Sequence, residues 1–153
     1  MVDPVAETVD YVAISRLHGV YADIVNRRAW EEFAEIFLPD APVRIDTVTN
    51  PIVDVTGPQE LGAFIGGAIE RFEFFEFVIL NLRVEIDGDA ARSRVFMCEL
   101  RQERDSGRFT RAFGLYRDRL QRSEGRWRYA RRRYQSRARD GRGEVFAYPE
   151  EAW

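Results

Sequence analysis

The stretch Phe75-Glu76-Phe77-Val78-Ile79-Leu80-Asn81-Leu82-Arg83-Val84-Glu85-Ile86-Asp87-Gly88-Asp89 decides the fold, because the periodicity of the chain changes there. Upstream, apolar residues recur every three or four positions. From Val78 onward the period is two: Val78, Leu80, Leu82, Val84 and Ile86 fall on one face of a strand, and Asp87-Gly88-Asp89 turns the chain back. Three more strands are predicted, over residues 91–101, 110–122 and 127–134. The connectors Asp105-Ser106-Gly107 and Ser123-Glu124-Gly125 have the chemistry of hairpin turns.

Toward the N-terminus, Val12, Ala13, Leu17, Val20, Tyr21, Ile24 and Val25 form an amphipathic stripe that predicts a helix over residues 9–25. A second, short helix carries Trp30, Phe33, Ala34 and Phe37 and stops at Pro39-Asp40. Gly57-Pro58 opens a third on Leu61, Phe64, Ile65, Ala68, Ile69 and Phe72, in which Gly66-Gly67 permits close packing on the sheet. Residues 43–48 and 52–55, β-branched and parted by Asn50-Pro51, read as a hairpin. Helices first and long antiparallel strands last make an α+β fold with the helices on one face of the sheet. We read residues 1–135 as this domain and 136–153 as an extension, docked by Phe146, Tyr148 and Trp153.

Composition narrows the functions open to such a domain. The chain has 153 residues, of which 45% are hydrophobic and 32% charged, enough for a sizeable core without disulfides. Cys98 and His18 are the sole residues of their types, so neither an intrachain disulfide nor a Cys/His metal site can be built, and no metal is expected. No apolar run reaches the ~18 residues of a membrane span, and the first thirteen residues lack a basic, then apolar, leader. A cytoplasmic location and no membrane partner are the expectation. Residues 1–100 hold eight Arg against eighteen acids, whereas 101–142 hold fifteen Arg against five. No stacking aromatics mark a nucleic-acid motif there, so we expect these Arg to pair with the acidic first half across neighbouring strands, with no nucleic-acid partner.

Several strings, in order, resemble the SnoaL-like branch of the nuclear-transport-factor-2-like superfamily. They are Tyr21-Ala22-Asp23-Ile24-Val25-Asn26-Arg27-Arg28-Ala29-Trp30, Phe37-Leu38-Pro39-Asp40-Ala41, Gly57-Pro58-Gln59-Glu60-Leu61, the segment from Asn81 to Asp89, and Tyr116-Arg117-Asp118-Arg119-Leu120 with Gly125-Arg126-Trp127. The resemblance implies a cone-shaped, curved antiparallel sheet with three N-terminal helices enclosing a pocket, a cystatin-like α+β barrel. It also implies pairing into a homodimer or other homo-oligomer through the open sheet face. Relatives include scytalone dehydratases, polyketide cyclases and ketosteroid isomerases, so the fold alone does not give the function. The acid and the histidine of the dehydratases fall here on Asn26 and Phe77, and a second pocket histidine on Phe113, none of which exchanges protons near neutrality. Tyr21 matches the tyrosine of the isomerases, and Asp46 and Asp118 match their two acids with one-residue shifts of register.

His18, Tyr21 and Asp46 are therefore the acid/base candidates, His18 because its side chain titrates near pH 7. Val25, Asn26, Phe33, Phe64, Phe77, Met97, Phe113 and Leu115 are the expected ligand-binding lining, and Cys98 is expected to be a buried apolar residue. The expected function is cofactor-free acid/base chemistry, of isomerase, dehydratase or cyclase type, on a small, apolar, cyclic molecule. A noncatalytic protein that binds an apolar ligand, and an interaction module using the outer sheet face, stand as alternatives.

Overall fold

The computed structural model describes residues 3–151 and 153. Its first helix, α1 (Pro4–Arg27), starts well before residue 9, because Asp3 accepts a hydrogen bond from the Val5 N–H and Pro4 occupies the first turn. Val5, Val9 and Val12 stay exposed, so capping rather than burial holds these first turns. The buried stripe is Ile14, Leu17, His18, Tyr21, Ile24 and Val25; Val12 and Val20, expected in it, face solvent. A 3-10 turn (Trp30–Glu32) runs into the one-turn α2 (Phe33–Ile36). After β1 (Pro42–Asp46) and β2 (Val53–Thr56) comes α3 (Gly57–Ile69). Gly57 there has φ +78°, and a side chain on it would strike the carbonyl of Pro39. Gly66 lies against the Trp30 indole, as Gly62 lies against the Trp30 backbone and Cβ, while Gly67 has open space around it, so it is Gly62 and Gly66 that seat the helix, on Trp30 and not on the sheet.

Four long strands follow, β3 (Phe72–Asp87), β4 (Ala90–Glu103), β5 (Phe109–Ser123) and β6 (Arg126–Arg139). The sheet order is β2-β1-β6-β5-β4-β3, and a two-residue β7 (Glu144–Val145) pairs with the end of β6. The sheet is mixed and unclosed, because β1 runs parallel to β6 while the other pairings are antiparallel. No hairpin ties β1 to β6 in sequence, so nothing local forces them antiparallel. A bulge between Ile79 and Asn81 interrupts β3. It reverses which residues face inward: Phe75, Phe77 and Ile79 before it, Leu82, Val84 and Ile86 after it. Val78 and Leu80 thus leave the face assigned to them by uninterrupted alternation, and Leu80 is exposed.

The core lies between α1, α2, α3 and the concave face of the sheet, where Tyr21, Phe33, Phe37 and Tyr129 stack and meet edge to face. The Arg-rich second half pairs with acids of the first half as expected, among them Arg122 with Asp10 and Asp89 and Arg104 with Glu73. None of the helices among the described residues is long and apolar enough to cross a membrane.

Candidate functional site

Between α1, α3 and the concave sheet face lies a cavity of about 660 Å³, the volume of a site for a small organic molecule. Its inner end is apolar and aromatic, formed by Val25, Leu61, Phe64, Phe77, Tyr21 and Tyr116. Inward-facing positions of the strands supply the polar groups: Glu99 from β4, Tyr116 from β5, Arg132 and Tyr134 from β6.

Behind the inner end sits a buried polar chain. The Arg132 guanidinium holds Asp118 through two hydrogen bonds (Nε to Oδ1 2.8 Å, Nη2 to Oδ2 3.2 Å), both side chains being within 1% of full burial. The Ser93 hydroxyl also donates to Asp118, over 3.2 Å. Having spent its proton on Asp118, Ser93 must accept from His18 Nε2, 3.0 Å away; Nδ1 of the ring then accepts from the Tyr129 hydroxyl at 2.8 Å. His18 is accordingly the neutral Nε2–H tautomer. Burial, and secondly the Arg132 charge, hold its pKa well below the ordinary histidine value.

Arg132 is itself enclosed by three tyrosine rings, with its guanidinium carbon 4.1 Å from the centre of Tyr21, 3.8 Å from Tyr116 and 4.5 Å from Tyr129. Desolvation opposes its charge, but the carboxylate of Asp118 and the electron-rich tyrosines keep it protonated. Its Nη1 has no hydrogen-bond partner. The hydroxyls of Tyr21 and Tyr116 lie 3.4 Å apart in front of this cation. Burial raises the pKa of both, so they stay protonated and able to donate.

Glu99 is an acid in the cavity wall whose ionisation burial disfavours. Its side chain is 20% exposed and its nearest cation, Arg101 Nη1, is 3.7 Å away, too far for a hydrogen bond. Desolvation pushes its pKa up, and the charges of Arg101, Arg139 and Arg71 only partly offset this. A carboxylate whose ionisation is opposed by burial is a stronger base than an exposed one, the property that a proton-exchanging group needs.

Of the acid/base residues expected from sequence, Tyr21 lines the cavity and the other two do not. His18 is sealed behind it in the chain just described, and Asp46 caps a turn by accepting from the Val48 N–H at 2.8 Å. Of the expected lining, Val25, Phe64 and Phe77 are in place; Phe33 and Met97 are fully buried core residues. Phe113 and Leu115 lie outside the cavity: β5 alternates without interruption through Ala112, Gly114 and Tyr116, so Ala112 and Tyr116 take the inward places, and the register shift beside them places its extra residue, Arg137, in β6. Asn26, at the end of α1, spends its amide on the backbone of Phe77, accepting from N–H at 2.7 Å and facing the carbonyl at 3.3 Å, which clips edge strand β3 to the helix. Burial raises the thiol pKa of Cys98, which is not part of the cavity lining. Glu99 was not singled out in the sequence, yet a signal existed: in Val95-Phe96-Met97-Cys98-Glu99 the acid falls on the same alternation as two core residues.

Comparison with known proteins agrees with this architecture. No curated protein matches the chain. Among solved structures, a candidate scytalone dehydratase from Novosphingobium aromaticivorans superposes with a TM-score of 0.75 at 17% identity, covering 94% of this chain and 91% of that one. The type 3 hexachlorocyclohexane dehydrochlorinase from Novosphingobium barchaimii gives 0.79 at 17% identity, covering 96% and 100%. An NTF2-like protein with a cystatin-like fold, also from Novosphingobium aromaticivorans, gives 0.71 at 20% identity, covering 86% and 84%. At such identities the likeness is one of fold. The sequence model of the SnoaL-like domain matches residues 6–133, from the first turn of α1 to within β6, and the chain therefore belongs to the SnoaL-like domain family.

Proposed function

We propose that the protein is a cofactor-free acid/base enzyme acting on a small ring compound, with Glu99 exchanging the proton and the Tyr21–Tyr116 pair polarising a substrate oxygen. The observation that carries this reading is the inward carboxylate of Glu99 in an aromatic cavity whose inner end presents two protonated phenols backed by a buried cation. The Glu99 carboxylate takes a proton from the carbon next to a ring carbonyl, and the C–H electron pair moves onto the carbonyl oxygen. The tyrosine hydroxyls stabilise that oxyanion, more strongly because Arg132 lies behind them. Returning the proton to a different carbon completes an isomerisation. Expelling a β-hydroxide instead, protonated as it leaves, completes a dehydration. Both are within the lyase and isomerase range, and two structural neighbours bear names, dehydratase and dehydrochlorinase, that denote eliminations.

Incubating the protein with a panel of cyclic ketones in D2O and following deuterium uptake by NMR tests the proposal. Exchange is expected with the parent chain and is reduced by about 100-fold or more in Glu99→Gln, in line with loss of a general base. Exchange that survives unchanged in Glu99→Gln refutes the role of Glu99. A noncatalytic binding protein is the second reading, favoured by Asn26 and Phe77: the amide is committed to backbone and the phenyl ring to the cavity wall. Saturable ligand uptake without exchange of any ketone would select it.

A further inference from the structure

The charge around the cavity is lopsided. Six arginines line it, Arg71, Arg101, Arg108, Arg132, Arg139 and Arg142, against two carboxylates, Glu99 and Glu103. Asp118 neutralises Arg132 from behind and Glu144 holds Arg139 at 2.9 Å, which leaves Arg71, Arg101, Arg108 and Arg142 facing two acids. Exposure gives the depth of each. Arg71 and Arg142 have 66% and 77% of their side chains in solvent, whereas Tyr21 and Leu61 at the inner end are almost wholly buried. The cavity therefore runs from an apolar interior to a cationic mouth.

The acids at the mouth do not use up these cations. Arg71 lies 4.0 Å from Glu103 and Arg101 lies 3.7 Å from Glu99, both beyond hydrogen-bond length, while surface pairs such as Arg27–Glu32 close to 2.6 Å. Arg101 is only 13% exposed and its Nε has no hydrogen-bond partner, a donor desolvated without compensation. Both guanidinium groups lie over the ring of Phe72, their central carbons 4.7 and 5.2 Å from its centre. Phe72 and its neighbour Phe75 are themselves part of the cavity lining.

We infer that the ligand of this cavity is a ring compound carrying a carboxylate, with its ring on the aromatic interior and its carboxylate between Arg71 and Arg101. The inference rests on the cavity being the functional site, and it narrows the substrate from an apolar molecule to an amphipathic anion. Planar guanidinium forks bind a carboxylate through paired N–H donors, and the net positive mouth concentrates anions before they enter.

Isothermal titration of the full chain with 2-naphthoate and with 2-naphthamide, which share a ring system and differ in charge, tests it. At low salt the acid is expected to bind at least about tenfold more tightly, and raising the salt to about 0.3 M is expected to remove most of that advantage. Arg71→Ala, at an exposed position, is expected to weaken naphthoate binding about threefold or more and to leave naphthamide unchanged. Arg101→Met provides the same comparison at the buried donor. Equal affinity for the two ligands, or preference for the amide, overturns the anion assignment while leaving the cavity as the binding site. Failure of both ligands to bind at millimolar concentration overturns the cavity reading and this inference with it.

Discussion

At the scale of residues, the most consequential group is one that cannot react with substrate. His18 is held neutral by a directed chain of hydrogen bonds from Tyr129 through the imidazole to Ser93 and Asp118. Its folded pKa lies below the unfolded value of 6.5, so as pH falls past 6.5 the unfolded chain binds a proton that the folded one refuses. Stability is thus fully present above about pH 6.5 and declines below it. Glu99 works in the opposite direction. Its raised pKa means that the folded state holds the proton more tightly, so its contribution is largest in acid and is lost as pH rises from the ordinary glutamate range through the folded pKa. Urea unfolding between pH 8 and 5 should show a falling limb below about 6.5 in the parent that is flattened in His18→Gln; equal limbs in the two would refute the neutral-histidine assignment. In the same chain, Arg132→Met or Asp118→Leu alone should cost about 3–5 kcal/mol, because each strands a buried charge. The double substitution should recover much of the loss, as a urea double-mutant cycle would reveal.

At the scale of elements, the β3 bulge decides which side chains reach the cavity. Unbroken alternation would place Leu80 with Leu82 on the concave face, whereas the register shift at Ile79/Asn81 puts Leu80 in solvent and keeps Phe77 and Ile79 inside. Leu80→Ala should therefore change stability by no more than about 0.5 kcal/mol. Leu82→Ala, which uncovers a side chain packed on the core, should cost about 1–2 kcal/mol. Thermal unfolding of the two variants checks the register, since in a strand without the bulge both side chains would be inside and the two costs would be similar. In β5, Gly114 falls on the inward alternation between Ala112 and Tyr116, beneath the Tyr134 ring and the Met97 sulfur, where a side chain could not fit.

At the scale of the whole molecule, the segment after β6 covers the convex face of the sheet. Tyr148 packs on Phe96 and under Arg137, while the Trp153 ring lies beneath the guanidiniums of Arg83, Arg92 and Arg94, at 4.4 to 5.4 Å. Arg117 and Arg133 hold the backbone and the side chain of Glu151. This is the face through which copies of the chain were expected to pair, and the chain's own extension occupies part of it. Deleting residues 144–153 should uncover Phe96 and neighbouring apolar surface. Sedimentation velocity at tens of micromolar should then show stronger self-association than in the full chain; identical behaviour of the two would mean that the extension does not guard this face.

The sequence by itself determined the order and kind of the elements, because periods of 3.6 and 2 and the turn residues between them are local properties. The stripe through Leu17, Tyr21 and Val25, the stop at Pro39-Asp40 and the turn at Asp87-Gly88-Asp89 each depend on a few neighbouring residues. The resemblance added the expectation of a pocket, and Tyr21, Val25, Phe64 and Phe77 of the residues read toward it stand on the cavity wall. Tertiary structure alone decided the rest. A one-residue bulge reverses every inward position beyond it without leaving a mark on composition, which is why Leu80 was assigned to the wrong face; Phe113 and Leu115 were assigned to the cavity because which face of β5 turns inward is set by the elements packed on it. The parallel pairing of β1 with β6 and the commitment of Asn26 to the backbone of Phe77 join residues far apart in the chain. So does the sealing of His18 behind Tyr21, 75 residues from Ser93 and 111 from Tyr129. Whether an ionisable side chain becomes a reagent or a structural strut depends on what else occupies its surroundings, and those surroundings exist only once the sheet has curved over the helices.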